Sequence, residues 1–362
     1  MEKGKKEKFS EKMIGILNAG ALNLALSIGY RSRLLDIMDA AGAPMSLSGI
    51  AAVSGLDERY IREWLGIMVT GGIAKLHRGE EGEPLYQLPK EHGDLLCRRA
   101  GHQNLGVYTQ EIPLLTTCSL EGVMEGFRTG DGVPYSAYPR FQAFMTELAD
   151  AKHRRVLTDV FLPSVEGGQM IRRLREGIRV CDLGCGEGTA PLLMAAAFPR
   201  SSFLGTDVDA RVIEKARNIA EKEGLRNIAF AVRDAARLSE DADWKESFDY
   251  ITAFDAIHDQ TNPPDALKGI RHILKADGAF SMIDIAAGSE HEDNMNHPMG
   301  PFLYTVSLMH CMPVGLMNKG AGLGMMWGRQ KAEAMLREAG FSQVHVAEIP
   351  DDPFNLHYFC RR

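Results

Sequence analysis

An apolar run, Val180-Cys181-Asp182-Leu183, opens directly onto Gly184-Cys185-Gly186-Glu187-Gly188-Thr189 and a helix-forming stretch from Ala190 to Phe198. Glycines at such a junction permit a tight turn and let a ligand approach the backbone. Twenty-one residues beyond Gly186 stands Asp207, in Gly205-Thr-Asp-Val-Asp209, where a carboxylate can accept both ribose hydroxyl protons of a nucleoside. A nicotinamide-type fingerprint would place its third glycine at position 189, which is Thr; the pattern is DxGxGxG instead. A second chemical group follows the run Tyr250 to Phe254: His258, in Asp255-Ala-Ile-His-Asp259-Gln260. Ligands of open α/β sheets sit outside the carboxyl ends of the strands, and an imidazole there can take a proton near neutral pH. Asp284, near the end of the run Ala279 to Ile285, is placed to orient it.

These residues need a scaffold of alternating elements. From Ile178 onward short β-rich runs (Ile178 to Leu183, Ser202 to Thr206, Ile228 to Val232, Tyr250 to Phe254, Ala279 to Ile285) alternate with helical segments, which predicts βαβ units in a doubly wound, mostly parallel sheet. Helix Gln330 to Ala339 and two edge strands, Val344 to Ile349 and Leu356 to Cys360, close the chain. Upstream, two helices over Phe9 to Ala41, a short capped helix and turn over Ser46 to Asp57, a helix Glu58 to Thr70 and a hairpin flanking Arg78 to Pro84 make a winged helix. The expected divisions are 1–100 for this helical domain, 101–170 for a helical connector and 171–362 for the sheet domain.

With those motifs in order, the segment from Ile178 to the C-terminus resembles the class I S-adenosylmethionine-dependent methyltransferases. The resemblance implies S-adenosylmethionine as cofactor, held by Asp182, Gly184, Gly186, Gly188, Asp207, Val208, Asp234, Ala235 and Phe254. The His258 run is similar to the Leu-His-Asp-Trp segment of winged-helix small-molecule O-methyltransferases, and Arg128-Thr129-Gly130 is similar to the Arg-Thr-Gly loop ahead of their catalytic domain. It implies His258 as general base and an N-terminal domain that dimerises and roofs the substrate. Gln260 stands where the family has an aromatic residue, and Trp327-Gly-Arg329-Gln330 where plant-type enzymes place a second carboxylate. The chain thus looks closer to winged-helix methyltransferases of the mycobacterial type.

Seven of the 18 methionines fall between Asn294 and Gly328. Met adapts to irregular apolar shapes, so this insertion serves either a bulky substrate or core and dimer packing. Tyr135, Met309, His310 and Trp327 are the expected substrate contacts. No metal is expected, because His310-Cys311 lacks a partner pair at ligand spacing.

Charge and composition narrow the partners. Forty-one Lys and Arg against 48 Asp and Glu give −7 overall, the wrong sign for nucleic acid or an anionic membrane. Over residues 45–90 five cations face six acids, which weighs against a competing reading: a DNA-binding regulator with a methyltransferase-like ligand sensor. The Asn/Asp-Pro-Pro-Tyr/Phe signature of amino-methylating enzymes is absent after the fourth strand, so a small-molecule acceptor is expected, with O favoured over N, S or C. Six scattered cysteines and a charged start predict a reducing cytoplasm. Prolines and histidines in the stretch 294–318 exclude it as a membrane span.

Overall fold

The computed structural model describes residues 2–350 and 352–362. Contacts divide the chain into two compact units, one ending at Leu114 and the other running from Leu115 to Arg362.

The first unit contains α1 (Glu2–Arg31), α2 (Leu34–Ala41), β1 (Met45–Ser46), α3 (Leu47–Ser54), α4 (Glu58–Thr70), β2 (Lys75–Arg78), β3 (Pro84–Gln87) and α5 (Lys90–Leu96). Ser46 Oγ accepts from Gly49 N at 3.1 Å to start α3, and the Asp57 carboxylate accepts from Arg59 N and Tyr60 N to start α4. Each such cap contributes about 1 kcal/mol. The buried stripe Ile61, Trp64, Leu65 and Met68 sets the face of α4, and Trp64 Nε1 donates to Ala25 O of α1 at 2.9 Å. The expected hairpin gains a third strand, because β1 pairs with β3 in the order β1-β3-β2. This is a winged helix. From Gly4 to Arg31, α1 is long and apolar enough to cross a membrane by length and composition, and it exposes Phe9, Ile14, Leu17, Leu24 and Ile28.

The helices of 101–170 do not form a connector of their own. The unit boundary falls within α6 (Glu111–Thr129), and α7 (Phe141–Val156), α8 (Leu162–Ser164) and α9 (Gln169–Glu176) belong to the second unit. Burial explains the difference: Leu157, Phe161, Leu162 and Val165 pack with Val180 and Tyr250 of the sheet in one core.

The sheet follows from β4 (Arg179–Leu183), α10 (Thr189–Ala197), β5 (Ser202–Asp207), α11 (Ala210–Lys222), β6 (Ile228–Val232), β7 (Phe248–Phe254), α12 (Pro263–Ile273) and β8 (Leu274–Ile285). An insertion carries α13 (Gly300–Val306), a π-helical turn (Ser307–Cys311) and α14 (Met312–Gly315), before α15 (Gly328–Glu338), β9 (Gln343–Ile349) and β10 (Asp352–Arg361). Strand order is β6-β5-β4-β7-β8-β10-β9, with β10 antiparallel to both neighbours. The order reverses at β4 and β7, the switch point where such sheets bind ligands. Alternate residues feed two faces: Val180, Tyr250 and Ile283 enter the core just described, while Cys181, Leu183, Ile251 and Met282 enter a second one with α12 and α15. That double burial is why these strands read as nearly unbroken apolar runs.

Candidate active site

The β4–α10 loop sits at the switch point with Gly184, Gly186 and Gly188 at φ 69, 54 and 87°, backbone that side chains rarely adopt. Their surroundings differ. A Cβ on Gly188 would come within 2.8 Å of the Phe230 ring, whereas one on Gly186 would meet nothing within 4 Å. Gly188 thus answers to packing, and Gly186 lines open space.

Asp207, at the end of β5, faces the same loop. Its Oδ2 accepts from Gly186 N at 3.0 Å and its Oδ1 from Asp209 N at 2.9 Å, and with Val208 N as a further backbone donor the carboxylate still keeps acceptor capacity. Asp182 on β4 is buried and accepts from Thr252 Oγ1 at 2.6 Å. Burial pushes its pKa up to about 7 against the Thr252 bond, with the charge of Asp207 adding to the rise. Asp207 is also raised, by burial first, with the backbone donors opposing. Both carboxylates are therefore harder to ionise than exposed ones.

Val208 is largely exposed beside Asp207, and Ala235 is buried. Asp234 is exposed and caps the turn after β6, accepting from Ala236 N at 3.0 Å, a structural task that leaves its outer oxygen capacity unused. Phe254 packs edge-on to Phe161, with centroids 5.8 Å apart.

His258 lies in the turn between β7 and α12, 3 % exposed. Its Nδ1 is 2.7 Å from Asp284 Oδ1 on the adjacent β8, and that oxygen also accepts from Ile285 N. Nε2 lies 3.3 Å from Asp259 Oδ1. Burial alone would lower this imidazole, but Asp284 and then Asp259 outweigh it and hold the pKa well above the ordinary histidine value. The turn is anchored upstream by Asp255, at φ 50°, whose Oδ1 accepts from Asn355 Nδ2 at 2.5 Å. Gln260, in place of an aromatic residue, closes the turn by donating to Ala256 O at 3.0 Å.

Three of the four expected substrate contacts come together. The His310 ring lies 6.0 Å from that of Tyr135 and 4.8 Å from that of Tyr138, and Met309 O accepts from both Ser119 Oγ and Tyr138 OH at 2.8 Å. Trp327 is elsewhere. Only 4 % exposed, it packs in the core with Ile257, Leu267 and Phe341, so its indole serves burial rather than a pocket wall. Met326, with Met299 and Met325 beside it, likewise packs against Ile285 and Leu303. Sequence reasoning did not single out Tyr138, and it weighed Cys311 only with its neighbour His310, not beside His258. An aromatic count would have flagged Tyr138, but only the fold reveals Cys311 there, 53 residues after His258.

Residues 174–340 match the family model for a methyltransferase domain, and residues 20–98 match that for an Rv2258c-like winged HTH domain. The chain carries a methyltransferase domain. Among curated relatives, it is 30 % identical over 127 residues to the uncharacterized methyltransferase YcgJ of Bacillus subtilis, covering 34 % of this chain and 48 % of that protein. It is 27 % identical over 174 residues to release factor glutamine methyltransferase of Bordetella pertussis, covering 47 % of this chain and 56 % of that one. The chain thus spans about half the length of these curated relatives. Two solved structures share the fold of this chain along nearly its whole length. Human N-acetylserotonin methyltransferase, in complex with SAM, has a TM-score of 0.70 at 17 % identity, covering 98 % of this chain and 97 % of that one. Mitomycin 7-O-methyltransferase MmcR has 0.70 at 14 %, covering 99 % and 100 %.

Proposed function

We propose that this methyltransferase transfers a methyl group from S-adenosylmethionine to a small-molecule acceptor, an oxygen nucleophile activated by His258. The observation that carries the reading is the Gly186–Asp207 pair, an open glycine backbone beside a carboxylate that retains acceptor capacity. It suits a ribose diol, and a net positive cofactor would offset the cost that burial puts on the ionised forms of Asp182 and Asp207. When bound, that cofactor supplies an electrophilic methyl on a sulfonium.

The chain's residues then have three tasks. Asp207 and the Gly186 backbone fix the nucleoside, so that the acceptor can be aligned for in-line displacement. Asp284 orients His258 through Nδ1, leaving Nε2 to receive the acceptor's proton as the oxygen becomes a nucleophile. Tyr135, Met309 and His310 form an apolar, aromatic wall beside it. The mitomycin enzyme is named as a 7-O-methyltransferase, which supports oxygen as acceptor here.

Asp207→Ala is expected to cost cofactor affinity on the order of 1.5–3 kcal/mol, the usual loss for hydrogen bonds to a charged group. Calorimetry showing wild-type affinity for both S-adenosylmethionine and its demethylated product would overturn the cofactor reading. Labelled S-adenosylmethionine incubated with a metabolite extract then identifies the acceptor.

The partners of this reading are a small molecule and a second copy of the chain, in the cytoplasm, without nucleic acid or membrane. All six cysteines are free thiols, as a reducing compartment allows. The apolar residues exposed on α1 are too many for an isolated surface helix and suit a homodimer. Light scattering should give about twice 39.9 kDa at micromolar concentration; only the single-chain mass would refute the dimer.

A further inference from the structure

We propose that His258 Nε2, Asp259 and Cys311 Sγ form a three-donor site for a divalent cation, with Zn²⁺ the ion that this donor set favours, and that occupancy silences the base. The donor atoms lie within 4.8 Å of one another. Nε2 and Asp259 Oδ1 are 3.3 Å apart, close to the edge of a tetrahedron whose ligands stand about 2.0–2.2 Å from zinc. Asp259 Oδ1 is buried and makes no hydrogen bond outside the His258–Asp259–Cys311 group among the described residues, so its remaining acceptor capacity faces the two other donors, where a cation would satisfy it. Asp284 already holds Nδ1 at 2.7 Å, the carboxylate–histidine arrangement that aims the other nitrogen at a metal.

Cys311 is delivered by an irregularity rather than by spacing. It ends the π-helical turn Ser307–Cys311, a feature concentrated at functional sites. Imidazole, carboxylate and thiolate together select a borderline ion such as Zn²⁺ over Mg²⁺ or Ca²⁺. Three protein donors leave a fourth position open, as in catalytic rather than structural zinc sites.

Nε2 cannot hold a cation and a proton together, so a loaded site removes the proton acceptor. This consequence rests on the proposed role of His258; the site itself does not. The probe is Co²⁺ added to the full-length, chelator-treated protein. One ion per chain should bind and produce a thiolate-to-cobalt charge-transfer band that Zn²⁺ abolishes by displacement. Cys311→Ser should lose the band, and Asp259→Asn should weaken Co²⁺ at least as much as losing an outer-shell partner does, about 10- to 100-fold. Calorimetry with S-adenosylmethionine reports whether both variants fold. Absence of the band in the wild type, or its persistence in a folded Cys311→Ser, would overturn the site. Zn²⁺ should also stop labelled methyl transfer in the wild type and spare more of it in Cys311→Ser. A cobalt–thiolate band with undiminished transfer under Zn²⁺ would overturn the silencing, whereas failure of the cofactor reading would appear separately in the calorimetry.

Discussion

Asp182→Asn is expected to stabilise the ligand-free chain at pH 8 by about 2–4 kcal/mol and to change little near pH 4. The sign follows from the raised pKa. Asp182 reaches about 7 in the fold, chiefly through burial, against about 3.9 unfolded. A group that binds its proton more tightly when folded contributes stability fully below the unfolded value and loses it as pH rises through the folded one. Above about pH 7 the buried carboxylate is ionised at a cost. About 1.4 kcal/mol per pKa unit sets the upper figure, and the extra amide proton needing an acceptor sets the lower. Thr252 Oγ1 can still donate to the amide oxygen, as it does to Asp182 Oδ1 at 2.6 Å. Thermal melts at pH 4, 6 and 8 read the result: a gain that grows with pH supports the account, and an equal shift at all three contradicts it. An ionisable group kept where an amide would serve the fold better is the sort of local cost found at functional sites. In the proposed reading, the cofactor's positive charge offsets it.

The elements that position this carboxylate were legible because local signals and burial agree. Parallel strands buried on both faces read as apolar runs, and the glycine loop marks the junction after β4. The strand β8 begins at Leu274 rather than Ala279, because Lys275-Ala-Asp-Gly278 extends it with one small apolar residue and no apolar run to signal it. The connector reading failed for a related reason: which core receives Leu157 and Phe161 depends on partners such as Tyr250, far along the chain. At the site, His258 and Asp284 could be named from strand ends alone, since adjacent parallel strands bring their carboxyl ends together. Cys311 could not, because a π-helical turn changes which residue faces inward. Trp327 misled because an aromatic in a Met-rich insertion suits a pocket wall and a core equally until packing decides.

His258→Ala should lower methyl transfer by about 100- to 10,000-fold, the usual share of general base catalysis, with cofactor affinity near wild type. The assay includes a chelator, so that no cation occupies Nε2. Asp284 and Asp259 hold the wild-type imidazole well above its ordinary pKa, so the neutral, accepting form grows as pH rises through that value, and the wild-type rate should climb there. Asp284→Asn keeps an acceptor at Nδ1 but removes a charge, which should move this ascent to lower pH. In His258→Ala the ascent should disappear. A phenolic acceptor with pKa near 10 then supplies its own phenolate in alkali, so the mutant rate should recover partly toward pH 10. A scaffold role would instead lower cofactor affinity or thermal stability together with rate, and alkali would restore nothing. An acceptor already nucleophilic at neutrality, such as a neutral amine, would lose little rate at any pH. Only loss of rate with intact cofactor binding and alkaline rescue sustains both His258 as base and oxygen as the atom that receives the methyl group.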